Sequence, residues 1–256
     1  MLNKFRHILT SVVFLIFVVS GAVMVTGARA SAQVTFTNDE AEFFADNPGL
    51  LVQTFNSGFA PPGTATTCDA PLDSNNFAGC FPPGAILPGV EYDDFPNHDI
   101  LALFGFNYNG SGNTSIALGP DDRTNTLDIV FKKGGVSAAG VRPGCLLGTG
   151  EVCLRTVTIS AYGAGDTLLG STQVDVSSRF DDFVGIESDI PIARISVAGP
   201  DLGPESGFHV ISEVVFPQGS LTPIPALSEW GMIAAAGGLM LVVVFFAVRK
   251  RLQASA

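Results

Sequence analysis

Basic residues are what this 256-residue chain most lacks: 13 lysines and arginines stand against 24 aspartates and glutamates, a formal net charge of −11. Between Gln33 and Pro223 the imbalance deepens to 7 basic against 23 acidic residues, a net of −16. A surface of that sign repels phosphate backbones, which excludes nucleic acid as a partner. Acidity also keeps an exported domain soluble, so the charge alone does not point to a site. Histidine is scarce as well. Of three histidines, only His98 and His209 lie beyond the N-terminal segment. A serine nucleophile would need a Gly-x-Ser-x-Gly elbow between strand and helix. The nearest approach, Gly110-Ser111-Gly112, is too short, has no helix to lead into, and reads as a flexible turn. No catalytic residue is assigned.

Only four cysteines occur, as two close pairs: Cys68 with Cys80, and Cys145 with Cys153. An even count in an exported chain reads as two disulfides, for which three connectivities exist. The two local pairings are favoured because each staples one loop. Zinc is the alternative reading, but no histidine lies near either pair.

The apolar residues are not spread evenly, although the mean hydropathy is +0.38. They crowd the two ends. Lys4, Arg6 and His7 precede an apolar stretch from Ile8 to Val25, and Ala28-Arg29-Ala30-Ser31-Ala32 follows with small residues spaced for cleavage. Residues 1–32 are therefore expected to be a signal peptide, with an uncleaved anchor as the alternative. At the other end, the 18 residues of 231–248 carry no charge and end at Arg249-Lys250-Arg251. At 1.5 Å per residue a helix of that length covers roughly 27 Å, enough for a thin bilayer core. The basic tail, 249–256, then faces the cytoplasm and the bulk of the chain lies outside.

A plain anchor would need no motif ahead of its span, yet residues 219–230 hold Ile224-Pro225-Ala226-Leu227-Ser228-Glu229-Trp230, running into Gly231. Pro223 and Pro225 keep this stretch extended, a shape that a processing enzyme can grip. Motif, span and basic end together resemble the IPTL-type member of the PEP-CTERM group of sorting signals, with Ala226 standing where that motif usually has threonine. The resemblance implies recognition by an exosortase-type membrane transpeptidase, which would cut near the motif and pass the new carboxyl end to an acceptor. It implies a protein of the cell envelope or cell surface, held in the membrane at least transiently.

Residues 33–218 remain as an extracytoplasmic domain. Gln33–Phe36 reads as a strand, and Thr37 with Glu40 makes a Thr-x-x-Glu capping pattern that opens one short helix through Phe43 and Phe44. Leu50–Phe55 returns as a strand. Residues 56–99 are broken by Pro61-Pro62-Gly63, Pro82-Pro83-Gly84 and Pro88-Gly89, and read as one long loop held by a disulfide. Beyond it, short apolar runs alternate with turn residues: Ile100–Phe106, Thr126–Phe131, Val136–Val141, Thr156–Tyr162, Leu168–Val176, Phe180–Ile186, Ile192–Val197 and Phe208–Phe216. Val157, Ile159 and Ala161 alternate with Thr156, Thr158 and Ser160, a period of two. The expectation is a mainly β fold, an antiparallel β-sandwich or jelly roll.

The order of Phe36-Thr37, the Phe43-Phe44 helix, Thr156–Tyr162 with Leu168–Thr172, Ile190-Pro191-Ile192-Ala193-Arg194-Ile195 and Gly207-Phe208-His209-Val210 is similar to ectodomains found above such tails. These resemble galactose-binding-type jelly rolls. That likeness implies a fold and no ligand contacts.

Asp93, Asp94 and Asp99 flank His98 and form the first acidic group; Asp121 and Asp122 form a second. Hard oxygen ligands on a loop suit a structural calcium ion, and a solvated acidic loop is the other reading. Tyr92 and Tyr108 are the expected ligand contacts, with Phe95 and Phe106 beside them. Three functions fit these features: a non-catalytic surface or matrix component, which is preferred, a carbohydrate-binding module for extracellular polysaccharide, or an anchored glycan hydrolase using the carboxylates around His98.

Overall fold

The computed structural model describes residues 33–77, 79–132, 134–147, 153–200 and 207–217. The residues expected to form the signal peptide (1–32), the sorting motif, the membrane span (231–248) and the basic tail (249–256) lie outside the described residues. No helix among the described residues is long and apolar enough to cross a membrane.

The fold is mainly β and antiparallel. One sheet has eight strands in the order β1 (Val34–Thr37), β12 (Val184–Ile192), β9 (Val136–Leu146), β14 (Phe208–Pro217), β7 (Ala117–Pro120), β6 (Ile100–Phe104) and β3 (Ala65–Asp69), with β2 (Leu50–Thr54) also pairing β14. The other has six, in the order β11 (Leu168–Ser177), β10 (Leu154–Tyr162), β13 (Arg194–Ala198), β8 (Thr126–Phe131), β5 (Val90–Phe95) and β4 (Leu72–Asp73). Both sheets turn apolar residues into one core, including Val141, Ile186 and Val214 from the first and Tyr92, Ile129, Ile159 and Ile195 from the second. The period of two on β10 sets its faces: Val157, Ile159 and Ala161 are buried while Thr156, Thr158 and Ser160 point outward.

The stretch expected to be one long loop, 56–99, contains three strands, β3, β4 and β5. Its prolines and glycines mark the turns before and between them. The Cys68–Cys80 disulfide ties β3 to the turn before β5, and Cys145–Cys153 spans the connection from β9 to β10. Both are the local pairings. The run expected at Phe180–Ile186 begins later, at Val184. Phe180 has left-handed backbone (φ 59°) and ends a turn instead.

Helix α1 (Glu40–Asp46) is capped by Asp39 rather than Thr37: the Asp39 carboxylate accepts from the Glu42 N–H at 2.9 Å, while the Thr37 hydroxyl accepts from the Asp39 N–H. The helix docks through Phe43 on the outer face of the eight-stranded sheet, with Ala138, Phe183 and Val215. Gly185 of β12 lies opposite Gly140 of β9 in the ladder. A side chain on Gly185 would come within 2.5 Å of the Phe43 ring, and one on Gly140 within 2.6 Å of Phe183. The glycine pair is thus a dent that receives two rings. Gly185→Ala is expected to lower the unfolding free energy by about 1–3 kcal/mol, measured by urea titration, because the helix must lift or the sheet must bend. Arg142 ties the helix start to the sheet by pairing with Glu40 and Glu213.

Candidate metal centre

Connections between the two sheets gather at one rim. The chain passes from β3 to β4 through Ala70-Pro71, from β5 to β6 through residues 96–99, and from β7 to β8 through residues 121–125. The Ala70 N–H donates to the Asp99 carbonyl at 2.9 Å, joining the first connection to the second.

Strand β5 feeds this rim with an unexpected alternation. Val90, Tyr92 and Asp94 point inward, with exposures of 1%, 0% and 0%. Tyr92 therefore cannot meet a ligand. Its ring packs edge-on to Phe55 with centroids 5.3 Å apart, and burial pushes its phenol well above the ordinary value. Tyr108 is half-buried against Phe104, centroids 4.9 Å apart.

Asp94 takes the inward position where the pattern calls for an apolar residue. Its Oδ2 accepts from Asn125 Nδ2 at 3.0 Å, while Oδ1 has no hydrogen-bond partner among the described residues. Asp99, at the end of the β5–β6 crossing, and Asp121, at the start of the β7–β8 crossing, join it. One carboxylate oxygen from each of the three lies within 4.8 Å of the other two, and Asp99 and Asp121 are exposed. Burial raises the Asp94 carboxyl to about 6, the Asn125 hydrogen bond opposes this, and the charges of Asp121, Asp99 and Asp93 add to it. Burial and the charges of Asp99 and Asp122 raise Asp121 as well. No ion pair among the described residues reaches any of the three.

The two acidic groups read from the sequence are thus divided differently in space. Asp93 belongs to the outer face of the six-stranded sheet, where it pairs with His98 Nδ1 and sits opposite Asp128. Asp122 turns back to accept from the N–H and hydroxyl of Thr124, closing the 121–125 turn, and these bonds hold its carboxyl below the usual range. Asp94 and Asp99 from the first group and Asp121 from the second share one place.

The sequence reading missed a second polar assembly. Asp128, only 3% exposed, meets Arg194 Nη1 at 2.8 Å on the outer face of the same sheet. The Arg194 guanidinium lies 3.9 Å from the Tyr162 ring centroid and also reaches Asp166. Tyr162 and Arg194 are cross-strand neighbours, a signal that only the register of β10 against β13 supplies.

His209 is the other buried titratable side chain of note. It is 2% exposed, and neither ring nitrogen makes a hydrogen bond of good geometry among the described residues. Burial pulls its pKa down to about 4, against a smaller opposing effect of the Asn125 main chain. A base with a depressed folded pKa takes up its proton in the unfolded state first. Its contribution is therefore intact above about pH 6.5 and is lost as the pH falls towards 4, to a total of about 3 kcal/mol. Comparing urea titrations of the protein and His209→Gln between pH 7 and 4 checks this: the parent should lose stability to the variant across that window.

No protein-family model and no curated protein matches the chain. Among solved structures it is similar to a mutant of the family 29 carbohydrate-binding module CBM29-2, at 15% identity over 63% of this chain and 99% of that one, with a TM-score of 0.29. It is also similar to a cleaved adhesin domain of Lys-gingipain from Porphyromonas gingivalis, at 13% identity over 66% of this chain and 99% of that one, with a TM-score of 0.18. At these scores the function of the chain has to be read from its own residues.

Proposed function

We propose that this chain is an exported, non-catalytic component of a bacterial cell surface or its matrix, sorted and retained by its C-terminal signal. The observation that carries this reading is the pair of disulfides, Cys68–Cys80 and Cys145–Cys153, since such bonds form and persist outside a reducing cytosol. An N-terminal export segment and an IPTL-type tail at the two ends of a disulfide-stapled antiparallel sandwich fit the same destination. On this reading residues 1–32 leave as a signal peptide, the domain folds outside as a jelly roll, 231–248 crosses the membrane as a helix, and an exosortase-type transpeptidase acts near Ser228–Gly231. Mass spectrometry of the surface form should find a carboxyl end in that interval; an intact Ala256 on every molecule rejects processing.

A second reading, a carbohydrate-binding module for extracellular polysaccharide, is favoured by one surface feature. Phe95 is 48% exposed on the outer face of β5 and stands edge-on to His98, beside Asp93. An open ring with polar neighbours suits a sugar face. Under this reading Phe95→Ala abolishes retention of the full chain on a polysaccharide that the parent binds, with the melting temperature unchanged.

A further inference from the structure

We infer that Asp94, Asp99 and Asp121 form a binding site for one divalent cation of the calcium class, which clamps the sheet-to-sheet connections at this rim. Two independent observations meet here. The first is geometric: one oxygen from each carboxylate lies within 4.8 Å of the others, close enough to share an ion whose oxygen ligands stand at roughly 2.4 Å. The second is the state of Asp94. It is 0% exposed, and its Oδ1 has no hydrogen-bond partner among the described residues. As an anion, a carboxylate buried on a core strand with two more beside it is stabilised by a cation, and no ion pair among the described residues supplies one.

The donor set defines the chemical class. All three ligands are hard oxygens, without sulfur or imidazole, which selects calcium-like ions over zinc or copper. Three carboxylates leave several of calcium's six to eight positions to water or main-chain oxygens, and the exposed Asp99 and Asp121 place those positions on the solvent side. The ion's structural effect follows from where its ligands sit. Asp94 and Asp99 bracket the β5–β6 crossing, and Asp121 opens the β7–β8 crossing, which Asn125 closes with its bond to Asp94. The β3–β4 crossing hangs on the Asp99 carbonyl through Ala70. One ion therefore fastens two connections directly and a third through a single hydrogen bond. The site does not depend on whether the tail is processed.

The test uses the exported protein purified in detergent, stripped with EGTA and titrated with calcium chloride. Equilibrium dialysis should find one calcium per chain with a dissociation constant on the order of 0.1–1 mM, the range of extracellular modules. At 10 mM calcium the melting temperature should rise by about 3–7 °C over the EGTA form. Asp94→Asn and Asp121→Asn should each weaken binding at least tenfold and at least halve the shift. In EGTA both variants should be at least as stable as the parent, an outcome that a purely structural carboxylate would not give. Glu42→Gln, which removes one exposed negative charge from α1, should leave the calcium response unchanged. If Asp94→Asn fails to fold, Asp121→Asn at the exposed edge decides alone. An undiminished shift in Asp121→Asn, no stoichiometric calcium, or an equal shift with magnesium overturns the assignment.

Discussion

Cutting Tyr92 back to alanine is expected to lower the unfolding free energy by about 3–5 kcal/mol, the usual loss for a large buried aromatic. The ring is fully buried among both sheets and packs edge-on to Phe55, which itself meets Phe81. Little can refill that volume, because Phe55 directly follows β2 and Phe81 directly follows the disulfide-bonded Cys80. Tyr92→Phe should behave oppositely and gain on the order of 1 kcal/mol, since the phenol oxygen is buried without a hydrogen-bond partner among the described residues. Urea titrations of the two variants measure both effects. A Tyr92→Ala protein of parental stability that had lost glycan binding would return this residue to a ligand surface.

Arg194→Ala is expected to cost about 3–5 kcal/mol at neutral pH, the penalty for breaking a buried ion pair from one side. Asp128 would be left as a nearly buried anion, and Tyr162 would lose the guanidinium that covers it. Burial already raises the Asp128 carboxyl above its ordinary value, against the pull of Ser196 and Arg194. A carboxylate raised in the folded state destabilises when ionised and stops doing so as acid protonates it. The deficit of Arg194→Ala should therefore shrink as the pH falls into the carboxylate range, read by urea titration at pH 7 and pH 4. Arg194→Lys should recover only part of the loss, because an ammonium cannot hold Asp128 and Asp166 while lying flat on a ring.

The parts of this fold that were legible are those where polarity alternates without interruption. Strand β10 is the clearest case, with Val157, Ile159 and Ala161 facing the core. Strand β5 alternates as regularly, but its third inward residue is Asp94, and an acid in that phase reads as loop. The dense prolines and glycines before it disguised β3 and β4, which are short and sit at sheet edges. The acidic residues were visible as two groups, yet which would meet depended on sheet crossings that no local pattern records. Asp93 and Asp94 are neighbours in sequence and face opposite sides of a sheet. Asp99 and Asp121, far apart in the chain, share one ligand set. The Asp128–Arg194 pair needed the register of two ladders and left no trace in spacing.

Strand β14 occupies the interior of its sheet, bonded to β9 along Phe208–Val215 and to β2 along Glu213–Pro217. Its last residue, Pro217, is also where the described chain departs towards its carboxyl end. Tension applied there is borne by hydrogen-bonded ladders on both flanks, so the domain resists being drawn out as a doubly riveted plate does, and an edge strand at the same exit would peel.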